Sequence, residues 1–414
     1  MKKALLILLA LGVVALRAEG PKITVGGTFY TYNFFWNNQD FNSDSADGDQ
    51  FSYVHADITV NADFGNGITG KITAGAWGDI GQDPIYGTGP DPNVHLMEAY
   101  LTIGQPRGLP LSLTIGKKHV LFGDGITIFD GGEDGYWQVM LEHAGENYHL
   151  SLFDLRAIEG GGIGYLGLAG PGNLPASDKD ILGTYNTFTF GNLNFDLYGF
   201  YRVYGGDKPM WVGLRSYGSP IAGLNYAAEF AQMLGKNEGA TDTFNYKGNA
   251  AEFVLNYSMQ PFDFGLGAVY FSGDKSDTDD NEAYESVSNG PFTYGFYKWW
   301  PGFGPAHTLH TWYGFALLMP GEPFMTNLFT QNVHLGYAVN NMLSLRLDFF
   351  NYMKNEVASG QDKDLGKEVS LFALLHCMKT VHLGLSVGYF LPGKYLGDNL
   401  DPMLGGYFFV FKSF

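Results

Sequence analysis

With 414 residues, a formal net charge of −18, and 24 Lys and Arg against 42 Asp and Glu, the chain offers no basic surface for a phosphate backbone, which excludes nucleic acid as a partner. Aromatic residues make up 16% of the chain, charged residues only 16%, and there are 58 glycines, more rings and turns than one water-soluble core calls for. Cys377 is the sole cysteine, so no disulfide forms within the chain, and its alternation with Val369, Leu371, Ala373 and Leu375 predicts a small residue facing lipid.

The N-terminus reads as a secretory signal peptide over residues 1–18. Met1-Lys2-Lys3 is a cationic start, and Ala4 to Val14 is an apolar run too short to span a bilayer as a helix. Cleavage falls after Ala18, with Ala15 as the alternative. Removing Lys2, Lys3 and Arg17 takes the net charge from −18 to −21.

From Ile23 to Phe414 the remainder reads as one domain, 19–414, of eighteen stretches that alternate apolar with polar residues. No long apolar run interrupts them. Strands of that length, with one greasy and one wet face, cross a bilayer only when the sheet closes on itself. The prediction is an all-β fold: a transmembrane antiparallel up-and-down β-barrel of about 18 strands.

In chain order, short turns are expected at Phe64 to Gly67, Gly104 to Pro110, Gly145 to Asn147, Gly191-Asn192, Gly218 to Gly223, Gln260-Pro261, Asn340-Asn341 and Lys379-Thr380, where Gly and Asn tolerate positive φ. Long connections alternate with them, beginning with the acidic loop Asn37 to Gln50 and including Gly123 to Gly135 and Lys275 to about Met325. That last one, the seventh, carries Trp299-Trp300-Pro301 and is the segment expected to fold inward and narrow a pore. An extra strand pair within it would raise the count to twenty.

Strand charges fix which face is wet, because Lys or Arg facing lipid at mid-membrane costs about 2–4 kcal/mol. In strand nine, Phe195, Leu197, Tyr201 and Val203 share one face, leaving Asp196 and Arg202 on the other. The same reasoning turns Asp57, Lys71, Glu98, Lys118, Glu142, Arg215, Glu229, Glu252, Arg346, Asp348 and Glu368 toward the lumen. Eight of these thirteen are acidic and five basic, so the predicted lining is mixed and leans acidic, suiting cations and neutral polar solutes. Strand seven breaks the rule, since Leu150 and Leu152 share a phase with Asp154 and Arg156; a bulge there, or strand bounds other than those drawn, is expected to account for it.

Gly116-Lys117-Lys118-His119-Val120-Leu121-Phe122-Gly123-Asp124-Gly125, then Trp137-Gln138-Val139, resembles the alginate-export type of outer-membrane barrel, as does Ser272-Gly273-Asp274 before an acidic loop with Tyr313-Gly314 downstream. The resemblance implies a monomeric eighteen-stranded barrel in the bacterial outer membrane and, as one functional option, export of an anionic polysaccharide. Lys117-Lys118 and Gln138 depart from that family's Arg-Gln and Asp. The lining favours the other option, a porin-like channel for passive diffusion of small polar or cationic solutes. The last strand, Met403 to Phe414, ends on an aromatic residue and resembles the signal read by barrel-assembly machinery; membrane lipid and lipopolysaccharide are the other expected partners.

Other motifs carry little. Gly162 to Gly167 matches a dinucleotide fingerprint but no amphipathic helix follows it. Asp277 to Asn281 begins like a calcium loop, yet Glu282 stands where the turn glycine belongs. His307 and His310 have no evident third metal ligand, and no Ser/His/acid motif is identifiable. No cofactor, resident metal or enzymatic activity is expected.

Overall fold

The computed structural model describes residues 20–38, 41–42, 49–83, 87–88, 93–105, 109–129, 135–158, 179–203, 206–238, 243–275, 278–287 and 326–414. The expected signal peptide, the Gly162–Gly167 segment, His307, His310 and the bulk of the seventh loop lie outside them.

Eighteen long strands build the wall. They are β1 Lys22–Asn37, β2 Asp49–Asp63, β3 Ile68–Asp83, β4 Asn93–Gly104, β5 Ser112–Lys118 and β6 Tyr136–Ala144. Then come β7 Tyr148–Ile158, β8 Lys179–Phe190, β9 Leu193–Val203, β10 Asp207–Ile221, β11 Leu224–Glu238 and β12 Asn249–Met259. The last six are β13 Phe262–Phe271, β14 Leu328–Ala338, β15 Leu343–Lys354, β16 Asp364–Met378, β17 Val381–Pro392 and β18 Met403–Ser413. Each pairs antiparallel with its sequence neighbour, and β18 returns to β1 from Thr28↔Ser413 to Asn37↔Leu404, closing the cylinder. Phe414 completes the seam, exchanging backbone hydrogen bonds of 3.1 Å in both directions with Gly27.

Most of the expected turns fall between strands, but β10 runs on through Gly218 to Ile221, so of the expected Gly218 to Gly223 turn only Ala222-Gly223 lies outside the strands. At the first, Asn66 and Gly67 take φ of 52° and 77°, and the Phe64 amide donates to the Ile68 carbonyl. The outer face exposes Val25, Ile58, Leu152, Leu197, Leu214, Val333 and Leu371 among many large apolar side chains. Such a surface is stable against hydrocarbon and would associate in water.

Strand seven corrects its expectation. It pairs regularly with both neighbours from His149 to Arg156, and the only register shift lies beyond Arg156. Asp154 and Arg156 therefore stand on the outer face at the long-loop end, and Arg156 Nε meets Asp180 of β8 at 2.9 Å. A charge pair there sits at headgroup level, where the penalty for lipid-facing charge falls away. Cys377 lies at the register shift between His376 and Met378, half-buried beside the Lys379-Thr380 turn.

The larger surprise is the third long loop. Leu121–Phe122 pairs with Ile128–Phe129 in a small hairpin, and Val120, Asp124, Ile126, Thr127 and Ile128 are all buried. Phe122 stacks on Phe153 at 4.8 Å and on Tyr185 at 4.9 Å, two inward side chains of β7 and β8. This segment folds into the lumen, where Val120, Ile126 and Ile128 join an apolar cluster formed mostly by inward side chains of the wall. The first residues of the seventh loop join it: Tyr284 and Val287 are buried, and the Val287 amide donates to the Thr127 carbonyl at 2.8 Å.

Candidate functional site

The inward loop is held by charge. On adjacent strands β9, β10, β11 and β12, the inward phase places Asp196, Arg215, Glu229 and Glu252 side by side, with Asp196↔Arg215, Arg215↔Glu229 and Glu229↔Glu252 directly opposite one another. Arg215 grips Asp124 of the loop through two donors, Nε at 2.9 Å and Nη2 at 2.7 Å, and reaches Asp196 at 3.3 Å and Glu229 at 3.8 Å. A planar guanidinium suits this fork. Glu229 in turn accepts the Asp124 backbone amide at 2.7 Å and the Tyr198 hydroxyl at 2.8 Å.

Gly123 explains why the chain can come so close. At its φ of +64°, an added Cβ would lie 2.5 Å from both Glu229 carboxylate oxygens. Four residues after Gly123, Thr127 shares its hydroxyl with Tyr198 at 3.1 Å and Tyr284 at 3.0 Å, and the Trp211 indole donates to the Glu285 carbonyl at 2.8 Å. Glu252 stands apart: it is 3% exposed, and neither carboxylate oxygen has a hydrogen-bond partner among the described residues.

The other inward charges are also engaged. Arg202 bonds Asp207 and lies over the Trp211 ring at 5.3 Å. Arg346 chelates Asp348 at 2.7 Å from both donors, with Asn332 adding 3.1 Å. Glu142 meets His149 at 3.2 Å, Glu368 accepts from Tyr352 at 3.3 Å, and Asp57 accepts from Thr28 and lies 3.1 Å from His55. Lys71 pairs with Glu98, and Lys118 lies over the Tyr100 ring at 5.4 Å. The structure joins most of the residues expected to line the lumen into pairs.

On β1 to β4 the described residues leave a cavity. Lys22, Thr24, Asn61, Asp63, Thr69, Lys71 and Tyr100 line a cavity of about 350 Å³ toward the short turns. Higher on the same side, Tyr32, Phe34, Tyr407 and Phe409 form a ladder of rings 5.3–6.3 Å apart.

Sequence reasoning missed Asp124, Asp263, His334 and Lys354. Asp263 holds His334 at 2.8 Å and Asn256 at 2.9 Å, and Lys354 is buried with its ammonium 5.5 Å from the Tyr395 ring. The signal for Asp124 was present: Val120 and Leu121 just before it, and Ile126 and Ile128 within it, are apolar residues at a connection, Gly123 to Gly135, assigned to the water side. At the start of the seventh loop, Asp277 lies outside the described residues and Asp280 is held by ion pairing and hydrogen bonding. Lys247 and Asn245 bond Asp280, holding its carboxyl below the ordinary range, and no metal-ligand cluster occurs among the described residues.

The resembling motifs acquire structural roles. Gly123-Asp124-Gly125 is the tether just described, Gln138 donates to the Lys118 carbonyl at 3.2 Å, and Ser272 donates to the Glu282 carbonyl at 2.6 Å at the base of the seventh loop.

No family model matches the sequence, and no curated protein matches it. Solved structures do. Acinetobacter baumannii OccAB4 is 12% identical with a TM-score of 0.62, covering 94% of this chain and 98% of that one. Pseudomonas aeruginosa OccK2 (OpdF) in complex with glucuronate is 10% identical with a TM-score of 0.60, covering 95% and 98%. Pseudomonas aeruginosa OpdK with vanillate is 10% identical with a TM-score of 0.58, covering 94% and 98%. The chain therefore has the fold of these barrels over nearly its whole length: a closed antiparallel cylinder of eighteen strands with an apolar exterior.

Proposed function

We propose that the protein is a monomeric porin-like channel of the bacterial outer membrane through which small polar solutes, neutral or cationic, diffuse passively after residues 1–18 are removed on export. The observation that carries this reading is the third loop bound inside the barrel by Arg215. An eighteen-stranded cylinder is wide enough to hold water, and a loop fixed across part of it turns a wide hole into a selective one. Inward acids outnumber inward bases, which favours cations in the focused field of a narrow lumen. Lipid, lipopolysaccharide and the assembly machinery remain the partners that the greasy belt and terminal aromatic strand suit.

Two barrels of the same fold carry glucuronate and vanillate, both small polar organic molecules, which supports the size class of solute. Export of an alginate-type polyanion is the weaker reading. In the segment that resembles that family, Asp124 is consumed by the loop tether, and no run of arginines lines the described lumen.

The test is conductance of the refolded full barrel in a planar bilayer under an ion gradient. Discrete open steps with a cation-leaning reversal potential are expected. A folded barrel without conductance overturns the channel reading, and block by a uronate polymer in place of passage of small solutes restores the export reading.

A further inference from the structure

The β16–β17 hairpin carries a feature that the channel reading does not use. His376 and His382 are direct cross-strand partners one step from the Lys379-Thr380 turn. Both continue the inward phase of their strands, His376 after Glu368, Ser370 and Phe372, and His382 before Gly384 and Ser386. Their rings are 4.8 Å apart and nearly perpendicular, and Nδ1 of one lies 2.7 Å from Nδ1 of the other. The pair is exposed at the short-turn mouth, with the Phe411 ring 6.0 Å from His382 as a wall.

We propose that His376 and His382 form a two-imidazole site for a divalent transition-metal ion of tetragonal preference, Cu²⁺ or Ni²⁺, at the periplasmic mouth of the lumen. Two nitrogens 2.7 Å apart, each about 2.0–2.1 Å from one ion, subtend about 80–85° at the metal. That is close to the 90° between neighbouring positions of a square-planar or octahedral ion. A tetrahedral zinc site would want the nitrogens roughly 3.3 Å apart for the same bond lengths.

The backbone positions are fixed by ladder bonds on both sides, the His376 amide donating to the Met342 carbonyl at 2.8 Å. Binding then needs only a turn of each ring about its broad χ2, which tips both lone pairs toward a common point. The imidazole that donates in the 2.7 Å contact moves its proton from Nδ1 to Nε2, so two neutral rings become two ligands. No third His, Cys, Asp or Glu completes a cluster among the described residues, so water from the open mouth fills the other positions.

The experiment titrates the folded full-length barrel in detergent with Cu²⁺ alone and reads the bound ion by electron paramagnetic resonance, which does not depend on conduction. A bound Cu²⁺ with two nitrogen donors is expected. His382→Gln should remove one nitrogen and weaken binding about tenfold or more, and His376→Gln should do the same, each variant keeping the heat-modifiable mobility of a folded barrel. A two-nitrogen signal that persists in the double variant, or no such signal in the unaltered chain, overturns the proposal. Ni²⁺ should compete at lower concentration than Zn²⁺; the opposite order overturns the tetragonal assignment.

Discussion

The two sides of the lumen are built on opposite principles. From β7 to β13 the wall is crowded: Asp196, Arg215 and Glu229 side chains are 7% exposed or less, and the described part of the third loop is packed against them. From β1 to β4 the described wall lines a cavity, and the Lys71 side chain, paired with Glu98, remains 29% exposed above it. Charges of similar kind therefore do different jobs. Desolvated ones hold a loop in place, while wetted ones set the field that a passing solute meets.

The comparison breaks most visibly if the guanidinium is removed. Arg215→Leu leaves Asp124, Asp196 and Glu229 in a dry cluster without their counter-charge, a loss of about 3–5 kcal/mol. Urea unfolding in lipid vesicles should show that loss, and the loop should leave the lumen, raising single-channel conductance. An unchanged conductance would mean that the loop is held by its apolar contacts alone.

Gly123→Val attacks the same tether sterically and should cost less, about 1–3 kcal/mol, because the loop can shift to relieve the overlap with Glu229. Conductance should again rise, with limited proteolysis newly cutting between Val120 and Phe129. Glu252→Gln should go the other way. Glu252 faces Glu229 across the strand pair with no hydrogen-bond partner among the described residues, and an amide there can donate where a carboxylate cannot. A gain of about 1 kcal/mol is expected, and a loss of that size would show that the carboxylate has a partner of its own.

These differences also mark what was legible in the sequence. The closed barrel was readable because side chains alternate with a period of two and lipid penalises charge, the same reasoning that assigns Asp196 and Arg202 in β9 to one face from their neighbours alone. The same rule misjudged Asp154 and Arg156, since it holds at mid-membrane and weakens toward the rim where these two sit. The inward loop was not readable as such. Its tether joins Asp124 to Arg215, 91 residues away, and depends on the cylinder closing first. The expectation settled on the seventh loop for its length and its tryptophans, and most of that loop lies outside the described residues; among those described, the third loop buries Val120, Ile126 and Ile128, and the seventh contributes Tyr284 and Val287 to the same cluster.

The smallest expected effect sharpens the contrast from the cavity side. Lys71 is wetted and its partner Glu98 has other donors, the Thr73 hydroxyl and the His119 amide, both at 3.3 Å. Lys71→Gln should therefore leave the unfolding midpoint within about 0.5 kcal/mol, the range of ordinary exposed substitutions. Its consequence should appear in permeation, because a positive charge is gone from the cavity while Glu98 and Asp63 stay. The cation-to-anion permeability ratio should rise roughly twofold at low salt and return toward the unaltered value as salt screens the field. By contrast Asp348→Lys would set a second cation against the buried Arg346 guanidinium, so its effect on stability should come first. A Lys71 variant that unfolds early with unchanged selectivity would reverse the assignment of roles to the two walls, making the cavity side the brace and the crowded side the path.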